Sequence, residues 1–166
     1  MSYIQLLTNG LDQAEWVQKE TKPELFQYNN YMDFAYCIDI DEEKFNLGLD
    51  YTNINDANKK LLDMINPIVN TLEGKYNKKI GMVYLLKLYP QRYPLRQYYN
   101  FEQYDNVVTS CYIPLITNSE SAFCLDMNIL YPNPADELLI TNDSMMSMYS
   151  SGQDPIVYLV VDLLDF

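Results

Sequence analysis

Histidine does not occur in this chain of 166 residues. Its absence excludes Ser–His and Cys–His nucleophilic catalysis, histidine acid–base chemistry, HExxH sites and the two-histidine-one-carboxylate iron triad. Glycine is scarce, at five residues, and no GxxxxGK[ST] or GxGxxG pattern forms, so phosphate-cradling loops have no support. Cys37, Cys111 and Cys124 show no CxxC spacing and lie in or beside apolar runs. They read as buried free thiols of a reducing compartment, with a metal or disulfide role as the alternative. No uninterrupted run of 18 apolar residues is present, and Met1-Ser2-Tyr3-Ile4-Gln5 lacks the basic-then-apolar order of a signal peptide. The expectation is a cytoplasmic protein with no membrane partner.

Basic residues are missing from everything after Arg96. Residues 97–166 carry 10 acids and no base, residues 59–96 carry 8 bases and 2 acids, and residues 1–58 carry 11 acids and 3 bases, for a net charge of -12. Broad nucleic-acid binding is disfavoured, because it is driven by neutralising phosphates. Only a local basic patch from 59–96 could contribute. The composition is nevertheless that of a folding chain, 48% hydrophobic and 14% aromatic, and its length suits one substantial core. A single domain over 1–166 is expected, with 79–166 as the β-barrel core and the N-terminal strand and helix elements packed on it.

The stretch from Lys79 to Asp162 reads as a series of short strands. Lys79–Tyr89 is the first, closed by Pro90 and Pro94, and others are expected near 107–116, 121–130, 137–142 and 156–162. Tyr131–Asp136, Asn142–Ser144 and Ser150–Pro155 have turn composition. Upstream, Ile54, Ala57, Leu61, Leu62, Ile65 and Val69 recur at helical spacing. They predict a helix over 54–73, capped by Asn53 with Asp56 three positions on, broken at Pro67 and stopped at Gly74. A short helix is expected over Asp12–Lys19. A strand through Tyr36, Ile38 and Ile40 should end at the acidic run from Asp39 to Glu43, which reads as a solvated turn; the EF-hand spacing for calcium is absent.

With histidine gone, carboxylate-only catalysis is the surviving enzymatic option, but nothing singles out two of the 23 acids. Tyrosine is the abundant feature, at 16 residues. Tyr84, Tyr89, Tyr93, Tyr98, Tyr99, Tyr104 and Tyr112 group with Arg92 and Arg96. Such residues either fill a barrel and its rim or form a protein interface, since they combine apolar area with a hydroxyl or planar guanidinium.

From Leu85 to Asp162 the chain resembles the aspartyl/asparaginyl β-hydroxylase-like branch of the iron(II)- and 2-oxoglutarate-dependent oxygenases. Leu86-Lys87-Leu88-Tyr89-Pro90, Ile113-Pro114-Leu115-Ile116-Thr117-Asn118 and Leu159-Val160-Val161-Asp162 carry the resemblance, in the family's order. It implies a mainly β fold with a flanking helix, a double-stranded β-helix or cupin-like jelly roll. It also puts Gln97 and Tyr99 where the first metal ligands belong, Met146 where the distal histidine belongs, and Ile156 where an arginine would bind the co-substrate. Ser110 and Tyr112 replace the arginine and histidine before Ile-Pro-Leu. An amide, a phenol and a thioether do not restore a facial N,N,O site, and isoleucine cannot pair with a keto-acid carboxylate.

The expectation is therefore a barrel retained as a scaffold without cofactor or catalysis, serving a structural or protein-interaction role. Arg92, Arg96, Gln97, Tyr98, Tyr99, Tyr112 and Met146 are the candidate contact or vestigial-pocket residues. The partner is expected to be a protein, with a homo-oligomer as one form of it. A barrel without its site, in a small acidic chain rich in Asn, Tyr and Ile, fits a phage-encoded origin, in host cytoplasm or virion. Two alternatives stay open. A degenerate barrel holding a small ligand or running unusual carboxylate chemistry needs a deep polar cavity near Gln97, Tyr112 and Met146. An acidic nucleic-acid mimic needs the C-terminal acids in a regular exposed stripe.

Overall fold

Helix α3, Lys59–Tyr76, buries Leu61, Leu62, Ile65, Val69 and Leu72 and leaves Lys59, Lys60, Asp63 and Pro67 in solvent. In the computed structural model, which describes residues 3–20, 31–90, 95–98, 107–141 and 144–165, that apolar stripe lies against a large antiparallel sheet. The helix is unbroken, against the break expected at Pro67. Proline here faces water, so the carbonyl one turn earlier that loses its partner can be hydrated while the buried stripe holds the axis together. The N-terminus also differs from expectation. Thr52–Ile54 is a strand, β3, and the Asn55 side chain accepts from the Ala57 amide to open a 3₁₀ turn over Asp56–Asn58. The helix passes Gly74 and ends at Asn77, whose φ of 50° takes the left-handed position usual for glycine or asparagine.

The expected helix over Asp12–Lys19 is replaced by α1, Tyr3–Gly10, a 3₁₀ turn at Leu11–Gln13 and strand β1, Val17–Glu20. Leu7 and Leu11 are the buried anchors, and both fall at or before the start of the predicted span. Met64 of α3 sits so close to Gly10 that a Cβ there would lie 2.9 Å from it, so glycine lets α1 end against α3. Strand β2, Tyr31–Ile40, is followed directly by α2, Glu42–Asn46, capped by Asp41, which accepts from the Lys44 amide. The acidic run is thus a strand end and a helix start rather than a turn.

Asn58 joins these parts. Its side chain is buried, donates to the Tyr36 carbonyl at 2.7 Å and accepts from the Glu15 amide at 2.7 Å. One amide thereby fixes the segment before β1, the start of α3 and the middle of β2.

The remaining strands are β4 (Lys79–Leu88), β5 (Leu95–Tyr98), β6 (Val107–Ile116), β7 (Ala122–Leu125), β8 (Asn128–Leu130), β9 (Leu138–Thr141), β10 (Met145–Tyr149) and β11 (Ile156–Leu164). Among the described residues the major sheet runs β1-β2-β4-β11-β6-β9, with β3 paired to β2, and the minor sheet runs β5-β10-β7-β8. β11 lies at the centre of the major sheet and is buried throughout, which explains why Ile156–Asp162 reads as a near-continuous apolar run. The N-terminal strands complete the same sheet as the barrel strands.

Two apolar layers result. Val157, Leu159, Val161 and Leu163 face α1 and α3, while Ile156, Tyr158 and Val160 face the minor sheet. The expected strand at 121–130 is a hairpin, because Asp126 and Met127 both take positive φ and form a two-residue turn. Two short strands, β5 and β10, were not expected. In β10 the inward residues are Met146 and Met148, an alternation built from a residue with little strand preference. Pro114 is tolerated in β6 because β9 pairs only with Thr109–Tyr112, and because the pairing with β11 is bulged beside it. Its carbonyl instead accepts from the Ala135 amide at 3.0 Å.

Candidate functional site

The space between the two sheets is filled by rings and thioethers. Tyr112 of β6, Phe123 of β7 and Tyr158 of β11 form a triangle with centroids 5.7, 5.9 and 6.2 Å apart and tilted or edge-on planes. Met146 and Met148 from β10, Leu86 and Leu88 from β4, Ile140 from β9 and Ile156 from β11 close around them, all buried. Burial raises the Tyr158 phenol above its ordinary range, so the ring stays neutral. This interior is an apolar core.

Met146, the position given to a distal histidine, is 1% exposed inside this cluster, and Ile156, the position given to an arginine, is fully buried there. Tyr112 is 2% exposed in the same cluster. Of the residues expected at a contact surface or vestigial pocket, Tyr112 and Met146 lie in the filling of the interior and not on the outer surface. In backbone register Gln97 of β5 lies opposite Met146 of β10, with Arg96 opposite Ser147 and Tyr98 opposite Met145. Gln97 and Met146, which the resemblance assigns to ligand positions, thus lie on neighbouring strands. Arg92 and Tyr99 lie outside the described residues.

These positions do not fit iron and a keto-acid. A thioether and an isoleucine packed among aromatic rings offer neither the hard nitrogen and oxygen donors nor the cation that such a site requires. Among the described residues, no three His, Cys, Asp or Glu side chains gather as metal ligands would. Cys37 and Cys111 are buried with their thiols pushed up to about 12 by burial, and all three cysteines are free. Cys37 and Cys111 are held as inert thiols.

The polar features lie beyond this cluster. Asp162, on the barrel-facing side of β11, is buried and accepts from the Ser110 hydroxyl of β6 at 2.5 Å, the two being directly paired across the strands. Burial pushes its carboxyl up to about 7, with the Ser110 hydrogen bond pulling the other way. In the sequence Asp162 shows as a strand end and as the last residue of the resembling Leu159–Asp162 segment, and the one sign of its burial is that it is a lone acid between Val161 and Leu163.

At the end of the barrel where β11 begins are two open clefts. One, about 330 Å³, lies between Thr117–Glu120 and Gly152–Pro155. Asn118 organises it, donating to the Ser151 carbonyl at 3.0 Å and accepting from the Glu120 amide and the Ser121 hydroxyl. The other, about 650 Å³, includes Trp16, Lys87, Asp12 and Asp154, with the Lys87 ammonium 4.0 Å from the centre of the Trp16 ring. Neither cleft reaches Tyr112 or Met146.

Two facing antiparallel sheets wound in this order, with helices on the outer face of the larger one, make a double-stranded β-helix, as the resemblance implied. No protein-family model matches the chain, and no curated protein matches it. Among solved structures it is similar to an oxidoreductase of the 2OG-Fe(II) oxygenase family from Burkholderia pseudomallei, at 6% identity and a TM-score of 0.71, over 97% of this chain and 78% of that one. It is similar also to a prolyl hydroxylase from Trichoplax adhaerens, solved with a hypoxia inducible factor peptide fragment, at 11% identity and a TM-score of 0.59, over 98% and 76%. A third likeness is to the non-heme alpha ketoglutarate dependent epimerase SnoN of nogalamycin biosynthesis, at 12% identity and a TM-score of 0.50, over 98% and 70%. At these identities the likeness is one of fold, shared with oxygenases as a class and not with one branch of them. No helix among the described residues is long and apolar enough to cross a membrane.

Proposed function

We propose that this chain is a non-catalytic structural or protein-interaction protein built on an oxygenase-type double-stranded β-helix. The observation that carries the reading is the ring triangle of Tyr112, Phe123 and Tyr158 packed with Met146, where such a barrel would otherwise hold its reacting groups. An interior closed by aromatic and thioether packing stabilises the scaffold and leaves the outer surface to interact. The same filling counts against a small ligand held at Tyr112 and Met146.

The acids of the C-terminal segment count against nucleic-acid mimicry. Asp162 is buried, Glu137 is taken by Lys75 and Tyr76, Asp136 accepts from the Asn133 amide, and Asp126 sits at a hairpin tip. These are separate local roles rather than one stripe.

Two measurements test the reading. Metal analysis and titration of the pure chain with iron(II) and 2-oxoglutarate should give no stoichiometric iron and no co-substrate turnover; turnover would end it. Affinity capture from the native source, followed by mass determination of the purified assembly, should yield a defined protein complex of fixed stoichiometry.

A further inference from the structure

Edge strands that stay single in a folded protein are normally blunted by a charge, a proline or a covering element. Strand β8 ends the minor sheet among the described residues and has none of these within it. Its two-residue turn and the loop after it extend one outward-facing series at alternate positions: Met127, Ile129 and Tyr131, which are 88%, 62% and 64% exposed. Three large apolar side chains thus lie exposed at alternate sequence positions in and beside this strand. Their neighbour Leu130 turns inward against Phe123, so the alternation is set by the barrel core.

The backbone is presented with the side chains. Leu125 and Asn128 close the turn as a hydrogen-bonded pair, and the next pair, Cys124 with Ile129, is then of the non-hydrogen-bonded kind. The Ile129 N–H and C=O consequently point away from β7, toward the open edge of the sheet.

We propose that this edge accepts an extended segment of another protein as a fifth strand of the minor sheet, a segment apolar at alternate positions and carrying Lys or Arg at its ends. The inference rests on the protein-interaction reading above and adds the surface and the partner chemistry. Charge complementarity selects the partner. The segment that forms this edge is acidic throughout: residues 97–166 carry 10 acids and no Lys or Arg. A second copy of this chain would bring the same acids and a net charge of -12 to the contact, so a basic strand is favoured over self-pairing. Main-chain pairing at Ile129 supplies affinity, and the side chains of Met127, Ile129 and Tyr131 supply selectivity.

The test is selection of random octapeptides displayed on phage against the full chain, with the enriched peptides then measured by fluorescence anisotropy. Alternating apolar sequences flanked by Lys or Arg should emerge, with affinity that falls as salt rises. Ile129→Pro removes the outward N–H without touching the pairs to β7 and should weaken binding about tenfold or more, as a central contact would. Ile129→Val should bind as the parent does, and circular dichroism should show both variants folded. No enrichment, or enriched peptides indifferent to Ile129→Pro, overturns the proposal. So does a dimer of the parent chain that Ile129→Pro dissolves, which would make a second copy the occupant. A native complex that survives Ile129→Pro would sink this surface while leaving the interaction reading intact, whereas iron and keto-acid turnover would sink that reading without bearing on Ile129.

Discussion

Ser110 and Asp162 face each other across β6 and β11, joined by a 2.5 Å hydrogen bond inside the barrel. The carboxyl is held up to about 7 in the folded chain, against an ordinary value of 3.8. A raised carboxyl pKa means that the folded state binds the proton more tightly than the unfolded state does. Its contribution is therefore fully present below pH 4, declines between about pH 4 and 7, and is gone above the folded value. The separation corresponds to about 4 kcal/mol. Urea midpoints should fall from pH 5 to pH 8, and Asp162→Asn should flatten that dependence. An equally steep profile in the Asn variant would assign the effect to other groups.

Placing histidine at Met146 should harm the fold rather than create a metal site. The imidazole would enter an apolar cluster of rings and methionines without a partner, which costs about 1–3 kcal/mol. Thermal unfolding of Met146→His should show a lower midpoint, and the variant should bind no iron(II). Phe123→Ala in the same cluster should lose about 3–5 kcal/mol through the cavity it opens. A Phe123→Ala chain as stable as the parent would mean that the interior is not a packed core.

Pro67 interrupts the hydrogen-bond ladder of α3 at an exposed position while the helix continues through it. Pro67→Ala should restore the amide to the Asp63 carbonyl and raise stability by about 1–3 kcal/mol, part of the gain being offset by the freer unfolded chain. Denaturant midpoints measure this directly. A loss of stability would show that the ring itself packs against something the helix needs.

Met127 occupies a left-handed position, φ 72°, in the β7–β8 turn and is 88% exposed. Glycine there should relieve about 1 kcal/mol of backbone strain while removing little packing, so Met127→Gly should unfold at a higher denaturant concentration than the parent. If the parent nevertheless holds a basic strand more tightly than Met127→Gly does, the strained methionine is retained for contact.

The long elements were legible because their periodicity is decided by one face. Val107–Ile116 and Ile156–Asp162 are apolar enough to read as buried strands, and the stripe of α3 shows in Leu61, Leu62, Ile65 and Val69. The short ones were not. β5 and β10 have four and five residues, and methionine supplies the inward positions of β10, so no local preference marks them. The hairpin turn was missed because Asp126-Met127 carries no glycine.

The sequence by itself determined that histidine chemistry is absent and that the second half is a series of strands, since residue identity and apolar spacing are local properties. The barrel, and the amide, phenol and thioether at the family's ligand positions, were implied by the resemblance. Only the tertiary structure decided that Tyr112, Phe123, Met146 and Tyr158 fill the space between the sheets, that Asp162 is buried against Ser110, and that Ile129 lies on the strand that ends the minor sheet among the described residues. Each of these depends on which strands become neighbours across long sequence separations. Burial and pairing are properties of that arrangement, and no short window of residues contains them.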